Sequence, residues 1–209
     1  MVRASIAAAC KVARREPSDV TLIAVTKGRS AEDIEHLIAA GQRDFGESRV
    51  QEAQGKWPAL RERHTHLRLH MIGRLQSNKA DEAVAMFDSI HSLDRPSLLA
   101  ALAKAADKAG LFPPVHVQVN IGAEHQKGGI AIGDLPAFLD EVRSSPLPLA
   151  GLMCIPPADQ QPGPYFALLA ELARRHDVIG LSMGMSADYP TAVMMGATAV
   201  RVGSALFEN

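Results

Sequence analysis

The chain has 209 residues, with 22 Lys and Arg against 23 Asp and Glu, and 47% of its residues are hydrophobic. These values exclude wholesale disorder, and the balanced charge gives no long-range field that would favour nucleic acid or an anionic membrane as a partner. The two cysteines, Cys10 and Cys154, are too few for a disulfide framework. We find no signal peptide and no run of about 18 apolar residues. We therefore expect one cytoplasmic globular domain over residues 1–209.

Short runs rich in β-branched residues alternate with helical patterns along the whole chain. Helical spacing of apolar residues marks segments 31–41, 97–110, 135–145 and 165–175, and the first two of these end in glycine. Eight strands are predicted, at residues 20–26, 44–46, 67–72, 89–93, 115–121, 149–154, 179–183 and 197–202.

The absence of hairpin signals between these strands predicts parallel pairing, because parallel strands need a crossover that is usually a helix. An open doubly wound sheet and a closed (β/α)8 TIM-barrel-like domain both satisfy this pattern. Eight repeats are many for an open sheet of this size, so the barrel is favoured. No linker divides the chain, and the Pro-rich segment 155–164 is predicted to be a long surface loop.

Lys27 follows the first predicted strand at its carboxyl end, where active sites of parallel α/β folds lie. A lysine that is partly desolvated at a barrel mouth has a lowered pKa and can form a Schiff base with an aldehyde. A solvated lysine that opens a loop is the alternative interpretation, and position alone favours it.

The last two predicted strands carry candidate anion-binding residues. Arg201 lies between two valines, so its guanidinium needs an acceptor, which could be a structural carboxylate, a ring nitrogen or a phosphate. Gly203 and Ser204 open a predicted terminal helix, and the N-terminus of a helix can bind phosphate. Ser182 and Ser186 lie at the end of the seventh strand, with Ser186 predicted as a helix N-cap. Plain capping is the alternative for each serine.

The segment HTHLRLH contains His64, His66 and His70, which the alternating spacing places on one strand face, so a metal site has to be considered. No further ligand is identifiable, and we predict no metal site. Glycine-rich phosphate loops of the nucleotide-binding type are absent from the sequence.

Taken together, several segments resemble the pyridoxal phosphate homeostasis proteins, which are similar to the barrel half of an alanine racemase. The resemblance covers nearly the whole chain, in order. The segments that carry it are LIAVTK (22–27), AGQRDFGESRVQE (40–52), HMIGRLQSNK (70–79), QVNIGAEHQKGG (118–129), GLMCIP (151–156), LSMGMSAD (181–188) and VRVGSALF (200–207).

The resemblance implies a barrel that binds pyridoxal 5′-phosphate and has no established turnover. By position, Lys27 would form the Schiff base and Arg201 would face the pyridine nitrogen. Ser186 and the backbone of Gly203 and Ser204 would hold the phosphate. The chain departs from the family where Ser48 replaces a common Asn, where Gly28-Arg29-Ser30 replaces Thr-Lys-Pro, and where Gly128 replaces a common Ser.

Three functions remain open on this basis: a cofactor carrier, an amino-acid racemase and a Schiff-base aldolase. The carrier is favoured, because a racemase of this type needs a second domain with a tyrosine base, for which the 209 residues leave no room. A carrier would pass the cofactor to recipient enzymes through transient contacts. We expect a monomer or weak dimer that binds neither nucleic acid nor membrane.

Overall fold

A computed structural model describes residues 1–124 and 126–207 of the chain. Eight parallel strands follow one another around a closed barrel, and the last strand pairs with the first. The predicted barrel is therefore confirmed, and the open sheet is wrong. The strands are β1 (Thr21–Val25), β2 (Asp44–Glu47), β3 (Arg68–Met71), β4 (Ser89–Leu93), β5 (Val115–Gln118), β6 (Leu149–Met153), β7 (Gly180–Ser182) and β8 (Ala199–Val202).

Helices connect the strands and surround the barrel. They are α1 (Val2–Val12), α2 (Ala31–Ala39), α3 (Val50–Arg63), α4 (Ala80–Met86), α5 (Pro96–Ala109), α6 (Leu135–Arg143), α7 (Gly163–Arg175), α8 (Tyr189–Met194) and α9 (Ser204–Phe207). Single 3-10 turns lie at Pro17–Asp19, Ser77–Lys79 and Ile132–Asp134. Across the described ranges, none of these helices has the length and apolar character needed to cross a membrane.

The predicted boundaries are close to the observed ones except in the fifth strand, which was expected to reach residue 121. Strand β5 ends at Gln118, and Val119 adds only one isolated bridge to Ile130. The side chain of Asn120 bonds the backbone of Glu124 in both directions, at 2.9 and 3.1 Å. This local pairing offers the backbone an alternative to the sheet ladder, which explains the early end of the strand.

Apolar side chains fill the layer between the barrel and its helices. Phe45 of β2 and Trp57 of α3 are fully buried there, with ring centroids 5.1 Å apart. All residues of β2, β4 and β8 are buried, because these strands have helices on one side and the barrel interior on the other. This packing fixes the strand ends that carry the candidate site.

The barrel interior contains histidines where aliphatic residues usually dominate. His70, His91 and His116 come from three neighbouring strands, and His91 stacks on His116 at 4.0 Å and meets His70 edge-on at 5.1 Å. Gly151 of β6 makes space for the ring of His116. A Cβ atom on Gly151 would lie 2.6 Å from Cδ2 of His116 and 2.4 Å from the carbonyl oxygen of Gly180.

The buried imidazoles of His91 and His116 are held neutral by their surroundings. Burial, together with the neighbouring His116, His70 and Arg201, lowers the pKa of His91 well below its ordinary value. Burial also lowers the pKa of His116 to about 3, with His70 and Arg201 acting in the same direction. In the unfolded chain both rings would titrate at the ordinary value of about 6.5.

We predict that the free energy of unfolding decreases as the pH falls from about 6.5 toward about 3, where the unfolded chain binds protons that the folded chain excludes. Each buried histidine contributes a slope of about 1.4 kcal/mol per pH unit in this window, and no slope above it. Urea unfolding at several pH values measures the slope. His116→Phe preserves a ring stacked on His91 and should reduce the slope by the contribution of one proton, about 1.4 kcal/mol per pH unit. An unchanged slope would contradict the assignment.

Candidate functional site

The mouth at the carboxyl ends of the strands brings the predicted site residues together. Lys27 lies exposed in the turn two residues beyond β1, and Gly203 and Ser204 follow β8 directly. Strands β1 and β8 pair in register, with Ala24 opposite Val202, so the two strand ends adjoin. The cation of Arg29, in the same turn as Lys27, lies 4.3 Å from the ring centroid of Phe207 in α9.

Ser186 also reaches this point from the loop after β7. Its Oγ accepts the backbone N–H groups of Gly203 at 3.1 Å and Ala205 at 3.5 Å. The predicted role of Ser186 as an N-cap is wrong, because α8 begins only at Tyr189 and the preceding turn is closed by Asp188. The hydroxyl is therefore directed at the start of α9 rather than at its own helix.

Arg201 projects into the barrel and is only 4% exposed. One terminal nitrogen donates to Oγ of Ser182 at 2.6 Å and the other to the carbonyl oxygen of Cys154 at 2.9 Å. Both acceptors are neutral groups, so the structural carboxylate considered from the sequence is wrong. Burial lowers the pKa of the guanidinium, but an arginine still remains charged.

The turn that carries Lys27 is anchored to α3, which the sequence patterns did not identify. Nζ of Lys56 donates to the carbonyl oxygen of Thr26 at 2.9 Å and pairs with Glu47 at 2.8 Å. Oε1 of the fully buried Glu47 also accepts the Thr26 hydroxyl at 2.8 Å and the Trp57 N–H at 3.0 Å. This buried carboxylate fixes the residue directly before Lys27.

A second anchor holds the residue directly after Lys27. The N–H group of Gly28 donates to Oε1 of Glu52 at 2.5 Å, and Lys56 donates to the same oxygen at 2.8 Å. Burial raises the pKa of Glu52, but these hydrogen bonds outweigh it and leave the pKa below its ordinary value. Gly28 has a φ of +69°, a conformation that favours glycine. The departure from Thr at this position therefore matches the backbone.

The other two departures from the family pattern lie beside the mouth. Ser48 lines a cavity of about 800 Å³ next to the ends of β2, β3 and β4, together with Arg49 and Arg74. At Gly128, a Cβ atom would lie 3.0 Å from Oδ2 of Asp94. The serine that is common in the family would therefore approach this buried carboxylate closely, and the glycine relieves that contact.

The three histidines of residues 64–70 do not share one strand face. His64 ends α3 and pairs with Glu35 at 2.8 Å, His66 is exposed before the strand begins, and only His70 belongs to β3. The strand is shorter than the alternating pattern indicated. No cluster of three or more His, Cys, Asp or Glu suited to a metal ion occurs among residues 1–124 and 126–207.

The chain is similar to the barrel domain of alanine racemases in sequence pattern and in fold. Residues 3–208 match the family model described as alanine racemase, N-terminal domain. An alanine racemase of Clostridium difficile 630 superimposes with a TM-score of 0.73 at 15% identity, covering 99% of this chain and 56% of that one. This likeness shows the shared barrel.

Much closer relatives cover both chains almost completely. A pyridoxal phosphate homeostasis protein of Pseudomonas aeruginosa is 42% identical over 214 residues, which are 99% of this chain and 91% of the relative. The structure of PipY of Synechococcus elongatus with PLP bound is 39% identical with a TM-score of 0.84, covering 97% of this chain and 99% of that one. The chain thus belongs to the family of the pyridoxal phosphate homeostasis proteins.

Proposed function

We propose that this protein binds pyridoxal 5′-phosphate as a Schiff base on Lys27, holds it reversibly and passes it to recipient enzymes without turning over a substrate of its own. The observation that carries the proposal is the meeting of Ser186 with the start of α9 beside the Lys27 turn. The relative with PLP bound supports the choice of ligand. A cytoplasmic location belongs to the proposal, and the two free thiols of Cys10 and Cys154 agree with a reducing compartment.

The donor set at the mouth fits each functional group of the cofactor. An exposed lysine amine suits an aldehyde. The Ser186 hydroxyl and the backbone N–H groups of Gly203 and Ser204 suit a phosphate, since such donors form charge-assisted hydrogen bonds with it. In the structure the Gly203 N–H donates to Ser186 Oγ at 3.1 Å, so the groups adjoin, and a phosphate would replace Ser186 as the acceptor of that N–H.

Arg201 is proposed to face the pyridine nitrogen. When bound, this cofactor supplies an electron sink whose strength depends on the partner of its ring nitrogen. A guanidinium has only donors and does not give up its proton, so Arg201 would keep the ring nitrogen unprotonated. A weak electron sink suits storage of the cofactor better than carbanion chemistry.

The carrier is preferred to the racemase because relatives with 37–42% identity, aligned over most of this chain and most of their own length, are named homeostasis proteins. One amine can replace another on a Schiff base without free aldehyde being released, which suits hand-over to the lysine of an enzyme. The anchored turn supports the same conclusion. Glu47, Glu52 and Lys56 hold the backbone on both sides of Lys27 and leave its side chain exposed.

Lys27→Ala should abolish the visible absorbance of the bound cofactor while leaving the fold intact, because the exposed side chain has no structural role in the barrel. Borohydride reduction of the loaded protein followed by peptide mass mapping should place one adduct on Lys27. Lys79→Ala and Lys127→Ala serve as matched controls that should retain the absorbance. Stoichiometric labelling of Lys79 or Lys127 would contradict the assignment.

Ser186→Ala should weaken binding of pyridoxal 5′-phosphate by about 10- to 100-fold, because it removes a charge-assisted hydrogen bond. Binding of pyridoxal, which lacks the phosphate, should be unchanged. Equilibrium titration at fixed salt measures both affinities. Ser204→Ala is the control, since the proposal uses only the backbone of Ser204. A wild-type protein that binds both ligands equally would exclude the phosphate site.

Lys56→Met should lower cofactor affinity about three- to tenfold, since it removes the donor to the carbonyl of Thr26 and leaves Glu47 without its cation. The apolar stem of methionine preserves the packing of α3. The exposed Lys11 offers a control, and Lys11→Met should leave affinity unchanged. Equal affinities of the Lys56→Met protein and the wild type would show that the turn keeps its position without this anchor.

A further inference from the structure

A line of hydrogen-bonded side chains crosses the barrel interior from its amino-terminal end to Arg201. Asp44 Oδ1 meets His70 Nε2 at 3.0 Å, His70 Nδ1 meets His91 Nε2 at 3.1 Å, and His91 Nδ1 meets Ser182 Oγ at 2.8 Å. The last bond, from Arg201 to Ser182, is 2.6 Å long. We call these five residues the interior chain. It lies outside the cofactor-binding residues named above except for Arg201.

The middle of the interior chain is buried away from bulk solvent. His91 is 1% exposed and Ser182 is fully buried, and the ring of His116 covers one face of His91. Polar groups in such a place cost free energy unless they are hydrogen-bonded. A cavity of about 410 Å³ at the amino-terminal end is lined by Asp44, His70 and His91, among other residues. Rotation of the fully buried Ser182 hydroxyl would leave Nδ1 of His91 without its partner.

The charge of Asp44 fixes the direction of the first bond. Burial opposes ionisation of this carboxyl, but the hydrogen bonds from His70 and Arg68 outweigh it, so its pKa lies below the ordinary value. An ionised carboxylate can only accept hydrogen bonds. His70 must therefore carry its proton on Nε2, and Nδ1 of a neutral His70 is then an acceptor.

The direction of the first bond determines the directions of the remaining ones. His91 has to donate from Nε2 to His70, and because His91 is neutral its Nδ1 is an acceptor. The Ser182 hydroxyl then donates its single proton to His91 Nδ1. Only the lone pairs of Ser182 remain for Arg201, and they accept the guanidinium N–H. Every bond points from Arg201 toward Asp44.

We propose that Asp44 is a positioning residue for Arg201, whose carboxylate orients His70, His91 and Ser182 and thereby fixes the guanidinium that faces the cofactor ring. Without the carboxylate, the Ser182 proton is no longer committed to His91 and can turn toward the guanidinium, which then loses an acceptor. The effect on the cofactor rests on the proposed function, whereas the direction of the bonds does not.

The first experiment uses the protein without cofactor at pH 8, above the ordinary histidine pKa of about 6.5. Nitrogen-15 NMR of labelled histidines reports which ring nitrogen carries the proton. The wild type should show the Nε2–H form for His70 and His91. Asp44→Asn has nearly the same shape, but its amide can donate as well as accept, so both forms should appear. Asp88→Asn is the control, because Asp88 bonds Arg61 and the Leu69 N–H outside the interior chain. An Nδ1–H form of His91 in the wild type would overturn the proposal.

The second experiment loads the same variants with pyridoxal 5′-phosphate and records absorbance and affinity. Asp44→Asn and Ser182→Ala should each shift the spectrum and lower affinity about three- to tenfold, whereas Asp88→Asn should not. If Asp44 acts only through Ser182, the double variant should match Ser182→Ala alone. The proposal would be overturned if the losses of affinity in Asp44→Asn and Ser182→Ala multiplied in the double variant. It would also be overturned if Asp44→Asn had no effect. A wild type that fails to form the Lys27 adduct would instead refute the proposed function, and the tautomers would still decide the direction of the chain.

Discussion

The enclosed positive charge of Arg201 is the constraint on which the rest of the barrel depends. An isolated charge in a protein interior is very costly unless its donors are satisfied. The barrel meets this demand with a hydroxyl from β7 and a carbonyl at the end of β6, rather than with a carboxylate. A carboxylate partner would offset the charge, whereas these neutral acceptors leave the guanidinium with its positive charge.

The two ends of the barrel carry different polar groups around this charge. At the mouth, backbone N–H groups, a serine hydroxyl and a lysine are placed by short loops that the sheet and α3 hold. At the amino-terminal end, a carboxylate and imidazoles fill space that aliphatic residues occupy in most barrels. The apolar layer under the helices is what allows both polar ends to exist, because it supplies the burial that stabilises the fold.

The sequence predicted the strands and the strand ends near Lys27 and Arg201, because short runs rich in β-branched residues and glycine-terminated helices are local signals. Helix α3 was missed, since Gly55 and Pro58 interrupt a segment with little apolar periodicity. The Ala-rich α1 was also not predicted. The interior chain left no local signal at all, because His91 and Ser182 are 91 residues apart and meet only when the barrel closes.

The anchors of the Lys27 turn also could not be predicted from the sequence, because they depend on long-range packing. Glu47 and Glu52 stand within a segment that resembles the family, but nothing in the segment tells which carboxylate is buried. Their role follows from the packing of α3 against β2, which brings Trp57 and Lys56 to the same oxygen. Long-range packing of this kind cannot be inferred from residue type alone. The prediction for the histidines before β3 was also wrong, because that strand begins only at Arg68.

The glycines of β6 and β7 have a consequence for how such a barrel can change over evolutionary time. A Cβ atom at residue 151 would lie 2.4 Å from the backbone carbonyl oxygen of Gly180 as well as 2.6 Å from the ring of His116, and one at residue 180 would lie 2.2 Å from the carbonyl oxygen of Ala150. A smaller residue at position 116 would therefore not open either glycine position to a side chain, because the backbone contacts remain. Replacement of the imidazole by an aliphatic side chain would have to keep both glycines and fill the space of the ring against them.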